Sequence, residues 1–238
     1  MHEPTDLLEY LERATIDDEV FALRPDYRVV LIGALGIVPG PSDEHSERLL
    51  ERAELFARSL LEGISVDEHP RVVSWRETYR AFGAKPQRTR NSLEALLRRA
   101  ETGLPRVNRL TDIYNAISVL HLMPIGGEDL DRYSGAARLT RADGSETFET
   151  SGGGETVIEH PEIGEVIWRD DVGVTCRRWN WRQTRRTRLS DQTSKTLFIL
   201  DALDPMSEED LDAAAAALVG ELERLGPDVA IARRTLSA

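Results

Sequence analysis

At 238 residues, with 40 % hydrophobic and 30 % charged side chains, the chain has the size and composition of one large globular domain, alone or with a helical appendage. No apolar run approaches the ~18 residues that span a bilayer. The acidic opening MHEPTDLLEY is no secretory signal, so a cytoplasmic protein away from the membrane is expected, and the single cysteine, Cys176, excludes an internal disulfide or a multi-thiolate metal site. The net charge of −12 hides two basic islands, net +7 over residues 69–110 and net +5 over 169–188, in an otherwise acidic chain.

In chain order, Leu7, Leu8 and Leu11 make 4–14 a short amphipathic helix or a tail. YRVVLIGALGIV (27–38) is a buried strand by length and branching. Its Gly33, Gly36 and Gly40 fit neither dinucleotide nor P-loop spacing and read as bends or close backbone approaches. Ser42 is the expected N-cap of a helix running to about Leu61 and ended by Gly63. A further helix is predicted around Trp75 to Tyr79, stopped near Gly83 and Pro86. Asn91 and Glu94 resemble a capping box opening a helix to Gly103, and another helix runs from near Asn108 to before Pro124. Asp143-Gly144 between strand-like runs is a hairpin signal, and strands are predicted at 165–169, 173–179 and 195–201. Residues 206–226 form a closing helix, capped by Ser207 and ended by Gly226. The expected class is α+β, with helices mainly in the N-terminal half packed on a mostly antiparallel sheet or sandwich core. Residues 1–26 form a helical segment or tail, and 27–230 a single domain.

On the helix from 108, Asn108, Asp112 and Asn115 fall within about 60° of one another at 100° per residue, opposite Leu110, Ile113 and Ile117. Amides and a carboxylate in one row suit ligand recognition, because Asn gains little on a merely solvated helix. The five His residues show no metal-ligand spacing, and no cofactor is indicated. Cys176 sits beside arginines but reads as a buried structural thiol.

Clustered cations are a footprint of a polyanion partner, since Lys and Arg neutralise phosphates. The candidates are Arg76, Arg80, Lys85, Arg88 and Arg90 in the first island, and Arg177, Arg178, Arg182, Arg185 and Arg186 in the second. Internal pairing with carboxylates is the competing reading, and only two of the 30 basic residues are Lys, so a bias toward Arg contributes. In RRWNWRQTRRTR (177–188), strand alternation would put Trp179 and Trp181 on one face and Asn180 on the other. The tryptophans could stack on bases, line a pocket or belong to the core.

Residues 75–131 resemble the tRNA-editing domain of the phenylalanyl-tRNA synthetase beta subunit, and more closely the free-standing proteins related to it. The likeness rests on PRVNRLTDIYN (105–115), MPIGGEDLD (123–131), GEVIWRDDVGVTCRRWNWRQ (164–183) and TLFILDAL (196–203), in that order, and extends over roughly 27–225. It implies hydrolysis of a mischarged aminoacyl ester at the 3′ end of tRNA by a positioned water, assisted by the tRNA's own terminal hydroxyl, without a protein nucleophile. It implies a substrate pocket at Asn108, Asp112, Asn115, Gly126, Trp179, Asn180 and Asp201, with Asp201 as the acidic residue lining the amino-acid pocket. Gly126 stands where the synthetase has a His, and CRRWNWRQ replaces its glycine-rich turn, so tyrosine specificity does not carry over. A non-catalytic tRNA- or RNA-binding module and a small-molecule, amino-acid-like binding protein are the alternatives.

Overall fold

The structure, a computed structural model, describes residues 4–152 and 155–238. The chain opens with α1 (Pro4–Glu12), β1 (Thr15–Ile16), α2 (Asp18–Leu23) and β2 (Arg28–Leu35). Helices α3 (Glu44–Leu60), α4 (Pro70–Ala81), α5 (Ser92–Arg99) and α6 (Arg109–His121) follow. The strands β3 (Ile125–Asp129), β4 (Arg138–Arg141), β5 (Phe148–Gly152), β6 (Glu155–Glu159), β7 (Val166–Arg169), β8 (Val174–Arg177), β9 (Arg182–Gln183) and β10 (Thr196–Ala202) come next. Helix α7 (Glu208–Leu222) and strand β11 (Ala230–Ser237) close the chain. The class is α+β, as expected.

One sheet has the order β11-β2-β10-β3 and is antiparallel throughout. A second has the order β1-β4-β7-β8-β9, parallel only at β1–β4, and β5 pairs with β6 in a two-stranded ribbon. The first sheet is the middle layer. On β2, Val30, Ile32 and Ala34 enter a core shared with α3, α5, α6 and α7, while Val29, Leu31 and Leu35 enter a second core shared with α1, α4 and the second sheet. Burial on both faces explains why this strand reads as an unbroken apolar run rather than an alternating one. β10 divides the same way: Phe198 and Leu200 face the helices, and Leu197 and Ile199 face the second core. By the period of two, Asp201 is therefore turned toward the second core.

Residues 4–12 form a helix rather than a tail. Leu7 and Leu11 are fully buried, and a Cβ at Gly33 would lie 2.5 Å from Leu7 Cδ1, so the glycine permits α1 to lie directly on β2. Arg234 on β11 donates to the Leu11 and Ala14 carbonyls at 2.6 and 2.9 Å, satisfying the C-terminal end of α1. β11 itself lies beyond the closing helix that ended the sequence reading.

Several local expectations shift. Asp43, not Ser42, caps α3, accepting from the Ser46 amide while Ser46 Oγ accepts from the Asp43 amide. α4 begins at Pro70, where a missing N–H is harmless. Asn91 does cap α5, but the helix ends at Arg99, short of Gly103. Asp143-Gly144 does not join a hairpin: β4 and β5 belong to different sheets, and the turn is held by Glu146, whose carboxylate accepts from both amides.

Candidate functional site

The segment between β8 and β9 organises the site. Arg178 and Trp179 adopt left-handed backbone, with φ of 49° and 67°. That conformation costs an L-residue roughly 1–2 kcal/mol, so burial must hold it. The Trp179 ring is fully buried, with ring centroids 4.8 Å from Tyr27, 5.6 Å from Trp75 and 6.5 Å from Phe82. The strand alternation expected for Trp179, Asn180 and Trp181 therefore fails: β8 stops at Arg177, because two left-handed residues turn the chain. Trp179 belongs to the core, its ring closed in by these three aromatic neighbours. Trp181 is half-buried, with the Arg178 and Arg182 guanidinium groups 4.5 and 4.6 Å from its ring.

Asn180 turns inward. Its Oδ1 accepts from Tyr79 Oη at 2.9 Å, its Nδ2 donates to Asp201 at 3.2 Å, and Asp201 accepts from Tyr27 Oη at 2.6 Å. An amide suits this position because it must donate to a carboxylate and accept from a phenol at once. The chain of bonds ties the turn to β10 through the second core. Burial raises the Asp201 carboxyl to about 7 against the opposing pull of its two donors.

Beside this network lies a cavity of about 250 Å³ between α5, α6, β3, β10 and residues 179–183. Asn115, Gly126, Trp179, Asn180 and Asp201 line it, so five of the seven expected substrate positions meet there. Asn108 and Asp112 do not. Asn108 precedes the first helical residue, so the 100° rule does not apply to it. Its side chain instead caps α6, accepting from the Thr111 amide, and donates to the Leu189 carbonyl. Asp112 is fully buried against the preceding loops, accepting from the Val107 amide at 2.8 Å and from the Ser42 hydroxyl. The Gly126 position opens toward Gln183: a Cβ there would lie 3.3 Å from Gln183 Nε2, which donates to the Gly127 carbonyl.

Sequence reasoning missed Glu128, Tyr114, Gln183 and Arg99 in the same lining. Glu128 is fully buried, and both carboxylate oxygens lack a hydrogen-bond partner. The hydroxyls of Tyr133 and Thr175 approach without meeting hydrogen-bond geometry, and burial raises the carboxyl to about 7. A signal existed: an acid inside the strand IGGED deserved the argument applied to Asp201, that a buried carboxylate must be paired or face a polar ligand.

These raised carboxyls predict an unusual pH profile. Glu128 binds a proton more tightly folded than unfolded, so its contribution to stability is full below pH 4.5 and is lost as pH rises through about 7. The loss is of order 3 kcal/mol. His69 and His121, held below their usual value by burial, slope the opposite way near neutrality. Comparing urea denaturation at pH 5 and pH 8 for wild type and Glu128→Gln isolates the effect: the variant should lose less stability on going to pH 8. Parallel profiles would mean that Glu128 does not titrate in this window.

The basic islands are partly neutralised from within. Arg177 forms two bonds of 2.9 and 2.8 Å to Glu165 and one of 2.8 Å to Glu159. Arg178 lies 3.4 Å from Glu165, Arg182 2.5 Å from Glu159 and Arg186 2.8 Å from Asp170. In the first island, Arg76 and Arg90 lie 2.7 and 3.6 Å from Glu94. Arg80, Lys85, Arg88 and Arg185 are exposed and make no ion pair among the described residues, as do Arg99 and Arg188, which were not singled out. Burial drives the Cys176 thiol well above its usual range, so it stays protonated. No group of His, Cys, Asp and Glu among the described residues is arranged to hold a metal, and no described helix is long and apolar enough to cross a membrane.

The family model described as the B3/4 domain matches residues 74–215, which include most of α4, α5, α6, β3 to β10 and every member of the cavity lining. A crystal structure of an N-terminal fragment of the phenylalanyl-tRNA synthetase beta subunit from Pyrococcus horikoshii matches over 94 % of this chain and 54 % of that one, at 12 % identity and a TM-score of 0.46. This chain thus spans about half the length of that fragment. No curated protein matches significantly.

Proposed function

The chain belongs to the B3/4 domain family, and from that premise we propose that it binds the aminoacylated 3′ end of tRNA and hydrolyses the ester of a mischarged amino acid. The observation that carries this reading is the cavity. At about 250 Å³ it is smaller than the ~300–1,000 Å³ of pockets for drug-sized ligands, which suits one amino acid rather than a nucleotide. Its lining combines amides (Asn115, Asn180, Gln183) and carboxylates with an exposed arginine, Arg99, and a partly exposed one, Arg182. Such a lining can hold an aminoacyl group inside while cations outside meet the phosphates of the acceptor end.

Ester hydrolysis needs a water aimed at the carbonyl carbon, a group to take its proton, and a proton for the departing ribose oxygen. The Cys176 thiol is protonated, and water is the attacking group in this mechanism, as the resemblance to the synthetase editing domain implies. The neighbouring ribose hydroxyl assists it in place of a protein nucleophile. Asn115 and Asn180 orient the amino acid, and Asp201 belongs to the pocket wall.

One observation favours a second reading, a binding protein for an amino-acid-like small molecule. The carboxylates of Glu165, Glu159 and Asp170 already occupy much of the second island.

Deacylation of a panel of mischarged tRNAs, with binding measured across a salt series, separates the two. The expected result is turnover of at least one charged tRNA, most of it retained in Cys176→Ser. Affinity should fall with a log–log salt slope of about −4 if Arg80, Lys85, Arg88 and Arg185 each neutralise a duplex phosphate. A flat salt response without turnover would overturn the RNA reading.

A further inference from the structure

The other buried acids of this fold are accounted for. Asp170 accepts from Arg186 and from the Ser134, Val172 and Gly173 amides, Glu165 from Arg177, and Asp201 from Tyr27 and Asn180. Glu94 is shared among Arg76, Arg90 and Arg98. Glu128 alone among these has both oxygens buried and unpartnered, and it lines the cavity.

Its surroundings supply no counter-ion. The groups that interact with it are Tyr10, Tyr114, Tyr133, Thr175, Cys176, Asp170 and Arg186. Arg186 is the one cation, and it is already bound to both oxygens of Asp170 and to the Arg132 carbonyl. Asp170 opposes a second negative charge. An apolar side chain would serve β3 better if packing were the only demand, since a buried unpaired carboxylate is costly. The neighbouring wall is apolar: Trp168, Cys176 and Ile199 are buried and share the lining.

We propose that Glu128 is the specificity-determining residue of the cavity and pairs with the cationic end of a basic amino-acid side chain whose aliphatic stem lies along Trp168, Cys176 and Ile199. This rests on the reading that the cavity holds an amino acid. In an aminoacyl ester the α-ammonium sits one carbon from the ester, and a nucleotide cannot follow the amino acid into a space of this size. The ester and α-ammonium therefore stay toward exposed Arg99, and what reaches fully buried Glu128 is the end of the side chain. The ligand's charge supplies the counter-ion that the fold withholds.

Calorimetric binding of L-lysinamide, L-argininamide and L-norleucinamide to the full chain tests this, because all three carry the same α-ammonium. At least one basic probe should bind ten-fold or more tightly than norleucinamide. Glu128→Gln should remove that preference while the melting temperature holds or rises. Near pH 7 the binding heat should depend on the buffer's ionisation enthalpy in wild type and not in the variant, because pairing drives the proton off Glu128. Equal binding of all three amides, no binding at millimolar concentration, a preference surviving in Glu128→Gln, or a melting temperature that falls by many degrees would each overturn the assignment. The salt-series measurement with tRNA is independent. Salt-sensitive tRNA binding without discrimination among amides sinks only the role of Glu128, and discrimination without tRNA binding sinks only the RNA reading.

Discussion

Trp179→Ala is expected to lower the unfolding free energy by about 4 kcal/mol, a large share of the ~5–15 kcal/mol available to a typical domain. The ring is fully buried among Tyr27, Trp75 and Phe82, so truncation leaves a void that three aromatic neighbours cannot easily close. The left-handed backbone at Arg178 and Trp179 loses its main anchor at the same time, and with it the placement of Asn180 against Asp201. Trp181→Ala should behave differently. That ring is partly exposed and covered by Arg178 and Arg182, and its loss should cost about 1 kcal/mol or less. Urea denaturation of the two variants gives the comparison. Near-native stability in Trp179→Ala, accompanied by lost ligand binding, would make Trp179 a ligand platform instead of a core residue.

The second large effect concerns the arginine cluster. Glu165→Gln is expected to cost about 3 kcal/mol, because it leaves the buried Arg177 guanidinium short of its principal partner. Arg177 keeps only Glu159, which is about one-third exposed. Arg177→Ala should destabilise to a similar degree by stranding Glu165, which is almost fully buried. The double variant should recover part of the loss, since the pair shares one interaction. tRNA affinity should respond far more to Lys85→Ala and Arg88→Ala, whose side chains are exposed and unpaired. If Arg177→Ala instead keeps native stability and abolishes tRNA binding, the arginine is a phosphate contact and the internal pairing is incidental.

The opening strand of the middle layer, the caps at Asn91 and Ser207 and the closing helix α7 were legible in the sequence, because each depends on residues within a few positions of one another. The resemblance in residues 75–131 pointed to the family in whose matched region the cavity lies. Gly126, Asn180 and Asp201 were found from that ordered likeness, not from spacing, and only the fold shows that they share a wall.

What the sequence by itself determined was the class, most of the elements and the uneven placement of charge. Tertiary structure decided how that charge is used. Nothing local distinguishes Arg177, bound to a carboxylate twelve residues away, from Arg185, which is exposed. Nor does the segment from 177 to 188 announce that Trp179 closes a core against Tyr27, or that Tyr27 donates to an aspartate 174 residues distant. Glu128 looks like any acid in an acidic chain until β3 carries it beneath the second sheet, where both its oxygens are buried and the one nearby cation, Arg186, is already bound to Asp170. The physical reason is range: caps and periodicity are written in neighbouring residues, whereas desolvation and charge pairing depend on which distant segments the folded layers bring together.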